Sequence, residues 1–249
     1  MRARLLRGVD YVSALGNLRH RQVNFTAEQV QPPEWHFDTY RQYLARERPG
    51  PPEPGGAWEI ACRLVRDYEF SVPAIVRAVY DGRDPLLGRD LLLEGRFHGL
   101  RFYMGVRVTH VVDETRGGSQ QVWGWAYATL EGHLERGRMS YELVKDLESG
   151  KVEFVITGFS QRSPALGPIT RLGWSLFGRR TQLRFYRQCG ARLRRLVQDR
   201  LTGATAAATV LHDGDLVLAP SGIHPTVGDL LTVRWHHPGI RGALHGDGK

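Results

Sequence analysis

Glu131, His133 and Glu135 recur at every second position just after an aromatic run containing Trp123, Trp125 and Tyr127. In an extended chain, alternate side chains share a side. An imidazole between two carboxylates can shuttle protons or hold a divalent cation. Gly132 and Gly137 favour a different outcome, a tight turn in which His133 and a glutamate satisfy backbone groups. Both readings stay open at the level of sequence. The other candidates are weaker. Ser160 and Ser163 lack the Gly-x-Ser-x-Gly elbow of a serine nucleophile, and Ser163 suits a helix cap. Arg116-Gly-Gly-Ser119 matches neither a phosphate-binding loop nor a dinucleotide fingerprint, so no nucleotide cofactor is expected. Cys62 and Cys189 have no metal-ligand spacing to the histidines and are expected to be reduced and buried, with no metal site.

The aromatic run itself suits binding. With period two, Trp123, Trp125, Tyr127 and Thr129 share one face, and Val122, Gly124, Ala126, Ala128 and Leu130 share the other. A face of tryptophan and tyrosine combines apolar area with a few hydrogen-bonding groups, as a pocket for an apolar or amphipathic small molecule requires. Such a face serves equally well as solid core, because alternation separates two faces without saying which is inside. The expected walls are Phe102, Met104, Trp123, Trp125, Tyr127 and Phe154, with His133 and Glu135 as a polar rim.

The surrounding elements follow from periodicity. Residues 1–34 read as an N-terminal extension, with Leu5, Val9, Val12 and Leu15 at loose helical spacing and Pro32-Pro33 as a stop. Trp35 to Leu44 alternates as a strand, and Pro49 to Gly56 is a loop. Two short helices are expected next, over Ala57–Tyr68 and from Val72 through Val79. From Leu91 to Ile156 the pattern alternates and is broken by turns at His98-Gly99, Thr115–Ser119, Glu131–Gly137 and Ser149-Gly150. It predicts an antiparallel meander. Beyond Pro168 a helical period runs from Ile169 to Leu196. Residues 202–249 are rich in glycine, proline and small side chains and are expected as an irregular or partly disordered appendage.

With 249 residues and 41% apolar content, the chain can bury an ordinary core. No apolar run is long enough for a transmembrane helix, and the first residues lack the apolar segment of a secretory signal, so a cytoplasmic protein is expected. The net charge of +8 favours anionic partners. Arginines crowd the last helix, including Arg171, Arg179, Arg180, Arg184 and Arg187, but no nucleic-acid recognition motif accompanies them. A weak contact with an anionic surface through Arg179, Arg180 and Arg184 is the corresponding expectation; a solvated helix face is its plain alternative.

Several motifs occur together in one order: Gly55-Gly-Ala-Trp58-Glu, Tyr68-Glu-Phe70, Pro85-Leu-Leu-Gly-Arg89, Leu93-Glu-Gly-Arg-Phe97, Gly124-Trp-Ala-Tyr-Ala-Thr-Leu-Glu-Gly-His-Leu-Glu135, Val152-Glu-Phe154 and Leu183-Arg-Phe-Tyr186. This set resembles the domain-of-unknown-function 1990 family over roughly Trp35 to Leu196. The resemblance implies no established reaction. Many members follow Gly-His-x-Glu-x-Gly with an acidic residue, whereas here Arg138 follows Gly137. The element order is similar to that of the helix-grip fold shared by START-type and birch-pollen-allergen-like domains. The expected architecture is therefore α+β over residues 35–201: a curved antiparallel sheet wrapped around a long C-terminal helix, with two short helices before the meander. The expected function is non-catalytic binding of a small apolar or amphipathic molecule between sheet and helix. An enzyme using His133 with Glu131 or Glu135 in the same cleft is the alternative.

Overall fold

A computed structural model describes residues 9–97, 100–163, 168–204, 210–221 and 233–236; at 97, 100, 168–181 and 233–236 it describes the backbone alone. Helix α1 spans Tyr11–Leu18, strand β1 His36–Arg46 and helix α2 Ala57–Arg66. Strands β2 (Val76–Asp81), β3 (Asp90–Phe97), β4 (Leu100–Arg116), β5 (Gln120–Thr129), β6 (Glu135–Asp146) and β7 (Lys151–Arg162) follow. Helix α3 runs from Pro168 to Leu201, and β8 (Leu211–Asp213), β9 (Leu216–Ala219) and β10 (Val233–His236) come last. The strands lie in the order β1-β7-β6-β5-β4-β3-β2-β9-β8 with antiparallel neighbours, and β10 pairs parallel to β4. The fold is α+β and helix-grip, as the pattern predicted.

Two expectations are corrected. The second short helix is absent: residues 76–81 form β2, in which Ala78 and Tyr80 join the main core while Arg77 and Val79 face the other side. Ile75, Val76 and Val79 fit either period in so short a window, and pairing with β3 and β9 selects the extended form. The segment after Leu201, expected as irregular, contributes a hairpin whose β9 extends the sheet beyond β2. Leu5, the turn at His98-Gly99 and much of the tail lie outside the described residues.

The sheet has two differently covered faces. On the concave face, Trp125, Tyr141, Leu143, Phe154 and Ile156 pack against α2 and the second half of α3, which supplies Phe185, Cys189, Leu193 and Val197. On the convex face, α1 lays Tyr11, Ala14, Leu15 and Leu18 over Val79, Leu92, Tyr103 and Leu130. Gly105 makes this approach possible, because a Cβ there would run into Leu18. Asp10 starts α1 by accepting from the Ser13 N–H at 3.1 Å. Arg107 ends it, donating to the Leu18 carbonyl at 2.7 Å while pairing with Asp90, also at 2.7 Å.

A buried ion pair closes one end of the concave face. Lys145 Nζ lies 2.6 Å from Glu47 Oε2 and donates to the Pro51 carbonyl at 2.8 Å. The other Glu47 oxygen accepts from the Trp58 N–H at 2.8 Å, in the first turn of α2. The carboxylate thus takes up an orphan donor at a helix N-terminus, where negative charge is favoured. Lys145 is fully buried. Replacing it by Met strands Glu47 without its cation, so Lys145→Met is expected to lower stability by about 3–5 kcal/mol. Urea unfolding measures this, and a loss below about 1 kcal/mol, the range of an exposed pair, would show that the pair is hydrated.

Candidate functional site

Burial along the concave face is graded. At the end covered by α2, Leu44, Leu143, Val152, Phe154 and Ile156 are all 0% exposed. Toward the opposite end, Phe102, Met104, Glu135, Met139, Gly158 and Ser160 are only half-buried, although alternation puts them on the same face. The register sets Asp38 opposite Gly158 and Gly158 opposite Met139, which brings β1, β7 and β6 together at this end. β7 finishes here, with Arg162 opposite Glu135, and α3 begins six residues later. The candidate site is therefore the less buried end of the concave face.

The aromatic strand sits mainly in the packed part. The Trp125 ring is 2% exposed, and its Nε1–H donates to the Val65 carbonyl of α2 at 3.1 Å. Trp123 is buried under the Arg66 guanidinium, 5.3 Å above its ring. Phe154 stacks near Tyr141 and Phe70. Tyr127, farther along the same face, is the member that approaches the open end. Of the eight wall and rim residues read from sequence, the structure brings Phe102, Met104, Tyr127 and Glu135 to one region and places Trp123, Trp125 and Phe154 deeper in the core. The small-residue face of β5 is buried as well, with Val122 packed on Val144 and Val155.

His133 occupies the turn between β5 and β6, where Gly132 has φ 83°. Its Nδ1 accepts from the Glu135 N–H at 2.9 Å, an arrangement that holds the turn. Glu131 is exposed and accepts from the Gln22 N–H at 3.3 Å. The chain does not stay extended through this stretch, so Glu131, His133 and Glu135 do not share a strand face. Only Glu135 belongs to β6 and the concave side.

The electrostatics of the open end centre on Glu135. Burial, helped by the nearby Asp38 carboxylate, pushes its carboxyl up to about 7. Its side chain is half-buried. Burial also raises the Tyr127 phenol, and the neighbouring Tyr141 and Tyr68 phenols stand well above the usual range. The hydroxyls of Tyr68, Tyr127 and Tyr141 lie close to one another in the buried core. Tyr68 also has φ 62°, a left-handed conformation at the end of α2 where glycine is usual; its ring fills space against Phe70, Trp125 and Tyr141. Asp38, Met139, Tyr68 and Tyr141 were not read as site residues from the sequence. The alternation of Asp38 with Tyr40, and of Glu135 with Met139 and Tyr141, was the signal that could have found them.

The family model described as a domain of unknown function (DUF1990) matches residues 19–192. The chain belongs to this family. The matched DUF1990 region contains β1 through β7 and most of α3, and therefore every residue of the open end; α1 and the β8–β9 hairpin lie outside it. No curated protein matches the chain. Among solved structures, a hypothetical protein from Helicobacter pylori is similar at 11% identity and TM-score 0.43, covering 69% of this chain and 94% of its own. The Zhui aromatase/cyclase of Streptomyces sp. R1128 is similar at 14% identity and TM-score 0.41, covering 69% and 100%. Major latex-like protein 151 from Panax ginseng is similar at 9% identity and TM-score 0.40, covering 66% and 97%. Among the described residues, no helix is long and apolar enough to cross a membrane, and no group of three or more metal-ligating side chains occurs.

The Glu135 shift has a definite sign. The carboxyl titrates near 4.5 when unfolded and near 7 when folded. Between those values the native DUF1990 domain holds more protons, so its stability falls as pH rises through that window and stays reduced above it. Asp38 from β1 and Tyr127 from β5 interact electrostatically with the carboxyl. Glu135→Gln is expected to gain roughly 1–3 kcal/mol over the parent at pH 8, with the gain vanishing toward pH 4.5. Urea unfolding at both pH values checks it, and equal stabilities at pH 8 would mean the carboxyl is solvated.

Proposed function

We propose that this DUF1990 chain binds a small apolar or amphipathic molecule at the open end of its concave face, between the sheet and α3, without chemistry of its own. The observation that carries this reading is the graded burial. A continuous apolar face is sealed at the α2 end, and its side chains become half-buried at Phe102, Met104 and Met139, with a carboxyl and a phenol beside them. Apolar walls with a few convergent polar groups suit retention of such a molecule. Phe102, Met104, Tyr127 and Met139 form the walls, and Glu135 the polar contact. Trp123, Trp125 and Phe154 support the walls from behind.

The turn-holding contact of His133 gives its Nδ1 a structural task and lends no support to a catalytic role. The arginine reading keeps one described side chain: Arg184 is exposed on α3, whereas the side chains of Arg179 and Arg180 lie outside the described residues. Farther along the helix, Arg192 donates to the Glu69 carbonyl and Arg194 stands over Tyr43, so part of the arginine stripe serves the fold.

Fluorescence titration with the neutral apolar probe N-phenyl-1-naphthylamine tests the binding reading. Saturable binding at one probe per chain is expected. Met104→Trp, which fills the wall, should weaken it by roughly tenfold, the size of a 1–3 kcal/mol overpacking penalty. Absence of saturable binding, or equal binding by a folded Met104→Trp variant, would overturn the proposal.

A further inference from the structure

The convex face carries a cavity of about 330 Å³ where the end of α1 meets the connection between β2 and β3. Its lining includes Arg19, Asp84, Pro85, Leu87, Asp90 and Arg107. Asp90 and Arg107 lie opposite each other on β3 and β4, on the face that α1 covers.

The four charged groups form two unlike pairs. Arg107 is committed to structure: it holds Asp90 at 2.7 and 3.2 Å and donates to the Leu18 and Arg21 carbonyls at 2.7 and 3.2 Å. Arg19 and Asp84 face each other at 3.6 Å, outside hydrogen-bond reach, and neither side chain hydrogen-bonds to another described residue. The guanidinium therefore keeps its donors, and the carboxylate its acceptors, for a third party.

Both groups stand on fixed supports. The Arg107 bonds hold the chain on either side of Arg19, the C-cap residue of α1. The Arg89 guanidinium donates twice to the Asp84 carbonyl, at 2.8 and 3.2 Å, and the Gly88 N–H donates to the Val108 carbonyl at 2.9 Å. Gly88, with φ 86°, lets the loop turn back onto β4. Recognition of a small molecule needs polar groups held in this way. Beside them Leu87 is 57% exposed, whereas its neighbour Leu86 packs on the core. A fitting ligand thus presents an anion to Arg19, a cation close by to Asp84, and an apolar group to Leu87 and Pro85. A ligand with one charge leaves the other member of the pair unmatched.

We infer that this cavity binds a free apolar α-amino acid, its carboxylate on Arg19, its ammonium group on Asp84 and its side chain against Leu87 and Pro85. Such a molecule carries both charges on a single carbon, in keeping with the short separation of the pair. The site lies on the opposite face of the sheet from the one proposed above and does not depend on it.

Equilibrium dialysis of radiolabelled leucine against the full chain tests this inference. One saturable leucine per chain is expected. Unlabelled 4-methylpentanoate, leucinamide and glycine lack the ammonium, the carboxylate and the side chain in turn. Each should compete at least about tenfold less well than leucine, the factor expected of one charge-assisted contact or one buried apolar side chain. Arg19→Gln and Asp84→Asn should each weaken leucine binding by about tenfold or more. The two side chains are 61% and 31% exposed, so neither substitution disturbs the core. Absence of saturable binding at about 10 mM leucine, competition by any of the three analogues equal to that of leucine, or unchanged binding in both variants would overturn the assignment.

Discussion

The buried Glu47–Lys145 pair decides how the two layers meet. One carboxylate joins the end of β1, the first turn of α2, the proline-rich loop between them and the side chain of a central strand. Two charges are taken out of water, and the geometry is retained because each finds further hydrogen bonds: Glu47 from backbone donors, Lys145 to the Pro51 carbonyl. With α2 held in this way, the concave face is sealed at one end, and the aromatic residues of β5 and β6 have a fixed surface to pack against. The Trp125 bond to the Val65 carbonyl depends on the same placement.

Sealing one end has a consequence for the other. A single helix of 34 residues, about 50 Å long, follows the last strand of the meander. The second half of α3 fits with small and medium side chains, including Cys189 and Gly190, the latter close to Tyr40 and Gln42. Toward the strand ends near Glu135 the concave side chains are less covered. The residues at that end come from β1, β4, β5 and β6, which are far apart in sequence.

Charge is organised in the same economical way. The buried acids Glu47, Glu69, Asp90 and Glu94 are matched by arginine or lysine, whereas no lysine or arginine pairs with the half-buried Glu135 among the described residues. This contrast, and not the presence of a histidine between glutamates, distinguishes the site chemically. The histidine instead shapes the turn that delivers Glu135 to its strand.

The meander was legible in the sequence because half-buried strands alternate. Leu100 to Val108 and Trp123 to Thr129 display period two unambiguously, and the motifs spread from Trp58 to Tyr186 mark the family before any coordinates are considered. Residues 72–79 were misleading, since β-branched side chains in so short a segment fit both periods until β3 and β9 offer backbone partners. The sequence by itself determined the two faces of each strand, the long last helix and the family. Tertiary structure alone decided which face is concave, and that Trp123, Trp125 and Phe154 are core while Phe102, Met104 and Glu135 are only half-buried. The physical reason is that periodicity is a local property of the backbone, whereas burial and electrostatic proximity are set by register and by the docking of helices from distant parts of the chain.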